Sequence, residues 1–192
     1  MCFSSSFKQK SNKGFTLIEV LVALFILSTG ILGAVAMQAS AKKGSFDAMQ
    51  RSMASTLAQN IIERMRGNDA QVETNVLNGY NGNYGINPLN APGNRCNLST
   101  SLCTAGELIT NDLYEWEQSL IGADSKNINA NVGGLNEVVG CISHSNNNVT
   151  VVISWEGRED TSDGATDNDE FGKNCGASNT KRRQIAINAF IN

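Results

Sequence analysis

The chain is poor in the residues that do chemistry and in those that break helices. Among 192 residues there is one histidine, His144, and two prolines, Pro88 and Pro92. No G-x-S-x-G nucleophile elbow occurs. Gly172-Lys173 lacks the upstream glycine of a phosphate-binding loop. There is no C-x-x-C pair, so with a single histidine the cysteines do not fit a zinc site. His144 stands beside Asn146-Asn147-Asn148 and reads as an exposed turn residue rather than a catalytic base. These absences argue against an enzyme and imply no cofactor and no metal. The net charge of -3 argues against broad electrostatic binding to nucleic acid. Lys181-Arg182-Arg183 is the one dense cationic cluster, and it reads as the solvated start of a strand.

Charge is scarcest near the N-terminus. From Phe15 to Met37 the only charged residue is Glu19. The run is 23 residues long, and about 20 apolar residues suffice to cross a bilayer core. A carboxylate there costs roughly 2.5–3.5 kcal/mol at mid-span and less near an end, so it is expected to have a function and a partner. Lys8, Lys10 and Lys13 precede the run, and no acid does. The positive-inside rule keeps them cytoplasmic and places the chain after Met37 outside.

Gly14-Phe15-Thr16-Leu17-Ile18-Glu19-Val20-Leu21-Val22-Ala23-Leu24 resembles the processing site of type IV pilins and type II secretion pseudopilins. The resemblance implies that a prepilin peptidase cuts after Gly14 and methylates Phe15. Glu19 matches the glutamate typical of the family, which is read there as an assembly contact with the terminal amine of a neighbouring subunit. The continuation through Ile31-Leu32-Gly33-Ala34 to Ala58-Gln59-Asn60-Ile61-Ile62-Glu63-Arg64-Met65-Arg66-Gly67-Asn68 is similar to minor pilins of the PilV group. The similarity is strong over about the first 55 residues after Gly14 and loose beyond. Many major pilins carry a kinking proline some twenty residues into the mature chain. Here only Gly30 and Gly33 occur, so no sharp kink is implied.

On this reading residues 1–14 are a cleaved leader, 15–37 a membrane or filament-core helix, 38–66 an amphipathic continuation and 67–192 a globular head. The implied partners are the prepilin peptidase, other minor and major pilins, and the inner-membrane assembly machinery. The implied location is the inner membrane, single-pass with a periplasmic head, and the pilus. Two bland readings compete. Ala34-Val35-Ala36 has the form of a signal-peptidase site, and a plain unprocessed anchor is also compatible with the run. Neither accounts for Gly14 and Glu19 together. A type II secretion pseudopilin remains the alternative within the class. A tip-displayed adhesive or DNA-binding module, carried on the Asn-rich loops at 75–97, is the alternative outside it.

Loss of the leader removes Lys8, Lys10 and Lys13 and takes the net charge from -3 to -6. It also removes Cys2, leaving Cys96, Cys103, Cys141 and Cys175. Four cysteines allow three connectivities. Cys96–Cys103 with Cys141–Cys175 is favoured, closing one short loop and tying a strand to a long acidic loop. Oxidised pairs suit a periplasmic or extracellular setting.

Beyond Met37 the helical pattern becomes amphipathic. Phe46, Met49, Met53, Leu57, Ile61 and Met65 recur every three or four residues as one expected core stripe, with Gly67-Asn68 as a stop. A helix from Phe15 to Arg66 has 52 residues, or about 78 Å. Residues 69–106 carry Asn78-Gly79 and Asn81-Gly82 and read as turns. A short helix is expected over 107–121, and strands over 137–143, 149–155 and 184–191. Val149, Val151, Ile153 and Trp155 should share one strand face, and Ile185, Ile187, Ala189 and Ile191 another. The Asn146-Asn147-Asn148 turn makes the first two strands a hairpin. The fold class is α+β, a long helix packed on an antiparallel sheet. The acidic loop of Glu159, Asp160, Asp163, Asp167, Asp169 and Glu170 is the one candidate calcium site. It fails as an EF-hand because Ser178 would stand at the twelfth position.

Overall fold

A computed structural model describes residues 14–68, 74–97, 102–123, 125–127, 130–131 and 133–191. The chain falls into two compact units, Met1–Ser45 and Phe46–Asn192. The leader expected at 1–14, apart from Gly14, lies outside the described residues.

Helix α1 spans Leu17–Gly67. In the first unit none of its side chains is buried. The second unit contains its remaining turns, then α2 (Thr74–Tyr80), β1 (Gly82–Tyr84), α3 (Ala105–Leu120), β2 (Lys126–Asn127), β3 (Ala130–Asn131), β4 (Val139–Ser145), β5 (Asn148–Glu156), α4 (Glu170–Lys173) and β6 (Arg182–Phe190). Strands β1, β4, β5 and β6 form one sheet in that order, every neighbouring pair antiparallel. Strands β2 and β3 form a separate two-stranded ribbon. The fold class is therefore α+β.

Turn chemistry sets the β4–β5 hairpin. Ser145 pairs with Asn148, so Asn146 and Asn147 form a two-residue loop, and Asn146 adopts φ 53°. That left-handed conformation is one asparagine tolerates better than most residues. Period-two alternation then places Val149, Val151, Ile153 and Trp155 in the main core. Ile185, Ile187 and Ala189 of β6 pack against that core, with Ile191 just beyond the strand. Val152 faces the other way, into a small second cluster with Cys141, Cys175, Val139 and Phe171. Strand β5 is thus buried on both faces.

Ile61 and Met65 of the expected α1 stripe are buried as expected, but toward its N-terminal half the core face shifts to other positions. The buried positions are Gln50, Ala54, Ala58, Ile61, Ile62 and Met65. Met53 and Leu57 are only partly buried, Met49 is exposed, and Phe46 lies under the Arg158 guanidinium at 3.7 Å. Small residues at 54 and 58 let the helix backbone approach the core closely, which large methionines at those places would prevent. Trp116 of α3 donates its indole N–H to the Leu57 carbonyl at 2.8 Å.

The segment read as turns contains α2 and β1. Asn78-Gly79 lies inside α2, where a Cβ at Gly79 would stand 2.9 Å from Ile109 Cδ1 of α3. Close helix packing, not turn chemistry, explains that glycine. Helix α3 starts two residues earlier than expected because Thr104 and Glu107 form a reciprocal capping box. Cys96 bonds to Cys103 and Cys141 to Cys175.

Candidate assembly site on the N-terminal helix

The start of α1 is built by its own residues. The Glu19 amide donates to Thr16 O at 3.1 Å and lies 3.4 Å from Thr16 Oγ1, and the Val20 amide donates to Thr16 O. Thr16 thereby satisfies donors that a helix start leaves open. Further along, Ser28 Oγ donates to Phe25 O, and Thr29 Oγ1 donates to Phe25 O and Ile26 O. The hydroxyls of the apolar run are thus satisfied within the helix, as an environment without water requires.

The run itself is unsatisfied. Phe15 is 83% exposed, Leu17 81% and Leu32 70%. Burying one such side chain is worth about 1.5–3 kcal/mol, so this surface demands a covering phase. The helix is long and apolar enough to cross a membrane, with mean hydropathy 2.5 in its most apolar window. Glu19 shares a shallow groove with Phe15, Val20, Ala23, Leu24 and Leu27. Among the described residues no ion pair reaches its carboxylate.

Gly14 is exposed, and nothing lies within 4 Å of where its Cβ would be. Among the described residues nothing packs close enough to require glycine there.

The other candidates are used structurally. His144 is half-buried in β4 rather than an exposed turn residue, with ring nitrogens 2.9 Å from Asn146 O and 2.9 Å from Asn78 Oδ1. It meets no acid–nucleophile pair in these contacts. Arg182 is not solvated, as the sequence suggested, but 4% exposed. It forks onto Asp163 and donates to the carbonyls of Lys173 and Gly176. Arg183 donates to Glu159 O at 2.9 Å. In the acidic loop, Asp160 accepts from Thr180, Asp169 caps α4 through the Gly172 amide, and Asp163 is held by Arg182. Among the described residues no group of three or more His, Cys, Asp or Glu is placed to hold a metal.

Sequence reasoning missed two buried polar networks. Glu117 accepts from the Gly85 amide at 2.7 Å and the Leu89 amide at 2.5 Å, fixing the loop after β1. Tyr80 donates to Asp112, which also takes Arg64, while Arg64 reaches Glu115 as well. Burial first, then the Asp112 charge, push the Tyr80 phenol well above its usual range. The Tyr84 phenol, also buried and beside Glu117, is raised to about 12. These partners lie far apart in sequence, and no local motif announces them.

The deciding comparison concerns the N-terminus. Residues 9–35 match the family model of the prokaryotic N-terminal methylation motif. No curated protein and no solved structure matches the chain. The matched segment contains Gly14, Phe15, Glu19 and most of the exposed apolar run. With the α+β architecture it supports a type IV pilin-like protein of the pilin and pseudopilin class. That class is typically structural, its N-terminus is processed by a prepilin peptidase, and its partners are other pilin-type subunits. The exposed apolar helix fits membrane anchoring and incorporation in a filament.

Proposed function

We propose that this chain is a minor type IV pilin of the PilV kind, which helps to initiate assembly and enters the filament or its tip. The observation that carries the reading is the pairing of a processing motif with an apolar helix whose side chains are exposed among the described residues. The peptidase cuts after Gly14 and methylates Phe15. The helix then resides in the inner membrane as a single span with the head in the periplasm. Assembly moves the helix from lipid into a bundle of similar helices, so its apolar surface stays covered throughout. Glu19 pairs with the Phe15 amine of a neighbouring subunit and sets the register. In low dielectric an unpaired carboxylate is costly, so a slipped register is disfavoured.

The test is N-terminal sequencing of the mature protein, which should begin at Phe15 and carry a methyl group. A start at Met37 would mean a secreted protein and would overturn the reading. A type II secretion minor pseudopilin shares this N-terminal chemistry. Deleting the gene separates the two, because loss of surface pili with intact secretion marks a pilin and the reverse marks a pseudopilin.

A further inference from the structure

The sheet has two edges of unequal length. One is β1, with three residues. The other is β6, with nine. From Gln184 to Phe190 this edge strand carries no charge, proline or glycine. Those are the devices that normally protect an edge from pairing.

The register shows which groups of β6 are unpaired. In an antiparallel strand the N–H and C=O of one residue point to the same side, and successive residues alternate. Arg182 O accepts from the Gly164 amide, and Phe190 O lies 3.5 Å from Arg66 Nη2, so both point away from β5. The β5–β6 pairing is continuous from Glu156↔Arg182 to Asn148↔Phe190, so the even-numbered residues between point outward too. The loop at Gly164 covers Arg182, and a Cβ there would stand 3.0 Å from the Gln184 amide. Among the described residues, Ala186, Asn188 and the Phe190 amide remain without a backbone partner, and the side chains of all three residues are exposed.

A groove of about 440 Å³ runs along this edge, with Gln184, Ala186 and Ile187 on one side and Arg51 and Ser55 of α1 on the other. It shares Arg51, Gly164 and Gln184 with a second hollow lined by Gln50, Asp47 and Arg183. Gln50 is 6% exposed, and its Oε1 is buried without a hydrogen-bond donor among the described residues. Gln50 Oε1 is closed off from solvent, so what a guest can reach here is the groove and the row of outward backbone groups.

We infer that the β6 edge takes up an extended segment of a different polypeptide, which adds a fifth strand over Ala186–Phe190. Only backbone can satisfy alternating N–H and C=O groups along a strand. A second copy of this chain does not suit the place. Two β6 edges paired about a twofold axis would put both α1 flanks on the same face, each where the other's groove wall stands. The guest strand carries small or acidic side chains toward Arg51, which has no ion-pair partner among the described residues.

The test is amide hydrogen exchange, read residue by residue, on the full chain in its native membranes and again after purification in detergent. The outward amides of Ala186, Asn188 and Phe190 should exchange about tenfold or more slowly in the membranes than in detergent. Those of Ile185, Ile187 and Ala189, bonded to β5, should be slow in both. Equal rates for the outward set would overturn the inference. Ala186→Pro removes one outward N–H that the chain itself does not use, so the purified variant should keep its β5 protection. In membranes the added protection at Asn188 and Phe190 should vanish; its persistence would show that side chains, not paired backbone, cover the edge, and would also overturn the inference. A homodimer cross-linked through Asn188→Cys would replace the guest with a second copy and refute the choice of partner. Processing after Gly14 is read separately by N-terminal sequencing, so failure at this edge leaves the pilin reading untouched.

Discussion

Arg182 closes a two-bond fork on Asp163, with Nε to Oδ1 at 2.6 Å and Nη2 to Oδ2 at 2.8 Å. The same aspartate accepts from the Ala165 amide and from Ser178 Oγ. One contact therefore joins the first residue of β6 to the middle of the acidic loop. The Arg182 bond, helped by these two donors, holds the Asp163 carboxyl down at about 2.

The unfolded chain binds a proton at Asp163 at higher pH than the folded chain does. Its contribution is thus present above about pH 4 and is lost as pH falls toward 2. With its carboxylate partly open to solvent, the contribution is about 1–2 kcal/mol. Asp163→Asn should destabilise at neutral pH by about 2–4 kcal/mol, because Arg182 is left buried and unpaired. The gap between wild type and variant should narrow as pH approaches 2. Denaturant titrations of the detergent-solubilised chain across that range, followed by tryptophan fluorescence, check both statements. A gap that stays constant with pH would refute the role of the fork.

The two disulfides should contribute unequally. Cys141–Cys175 spans 34 residues and Cys96–Cys103 spans 7. Loop-closure entropy alone gives about 4 kcal/mol for the first and about 2.5 for the second. Cys141 and Cys175 are each 1% exposed and pack with Val152, so a serine there also buries a hydroxyl in an apolar cluster. Cys141→Ser should therefore lower the unfolding midpoint more than Cys96→Ser. The reverse order in thermal melts would show that the small loop matters more than its length suggests.

Gly140 sits in β4 directly under Trp116. A Cβ there would lie 2.5 Å from Trp116 Cη2 and 3.0 Å from Leu120 Cδ1. Both side chains are fully buried and have no room to retreat. Gly140→Ala should cost about 1–3 kcal/mol through overpacking and change the near-ultraviolet circular dichroism of Trp116. A variant that melts like wild type would mean that α3 can slide on the sheet.

What could be read from the sequence follows the range of the interactions. The β5 alternation and the asparagine turn are local, so the hairpin is legible, although Asn148, expected in the turn, is the first residue of β5. The N-terminal motif is local too, and Gly14, Phe15 and Glu19 stand out without a structure. The α1 stripe is right at Ile61 and Met65 and shifted before them, because methionines signal hydrophobicity while Ala54 and Ala58 make the close contact. Asn78-Gly79 signalled a turn, but packing of Gly79 on Ile109 overrode that preference. Arg182 looked solvated because its partner Asp163 lies 19 residues away. The β6 edge groove draws on α1, the loop at Gly164 and β6 itself, and no single stretch of sequence contains it.

Glu19 gives the sharpest test of assembly. It lies in the first turn of α1, where the helix dipole favours a negative charge by only about 0.3–1 kcal/mol. That is less than the cost of placing a carboxylate in hydrocarbon. Its side chain shares the groove with Phe15 and Leu27 and meets no cation within the described chain. On the proposed reading its partner is the amine exposed by cleavage at Phe15 of a neighbouring subunit. Glu19→Ala should still insert and be cleaved, because an apolar residue enters the membrane more easily. Glu19→Gln should behave the same way if charge, not hydrogen bonding, sets the register. Both should reduce surface filaments severalfold while processed protein accumulates in the membrane. Filament counts by electron microscopy, alongside blots of the membrane fraction, provide the readout. Normal piliation with normal processing in both variants would show that the carboxylate plays no part in assembly, and the ion-pair account of register would fall.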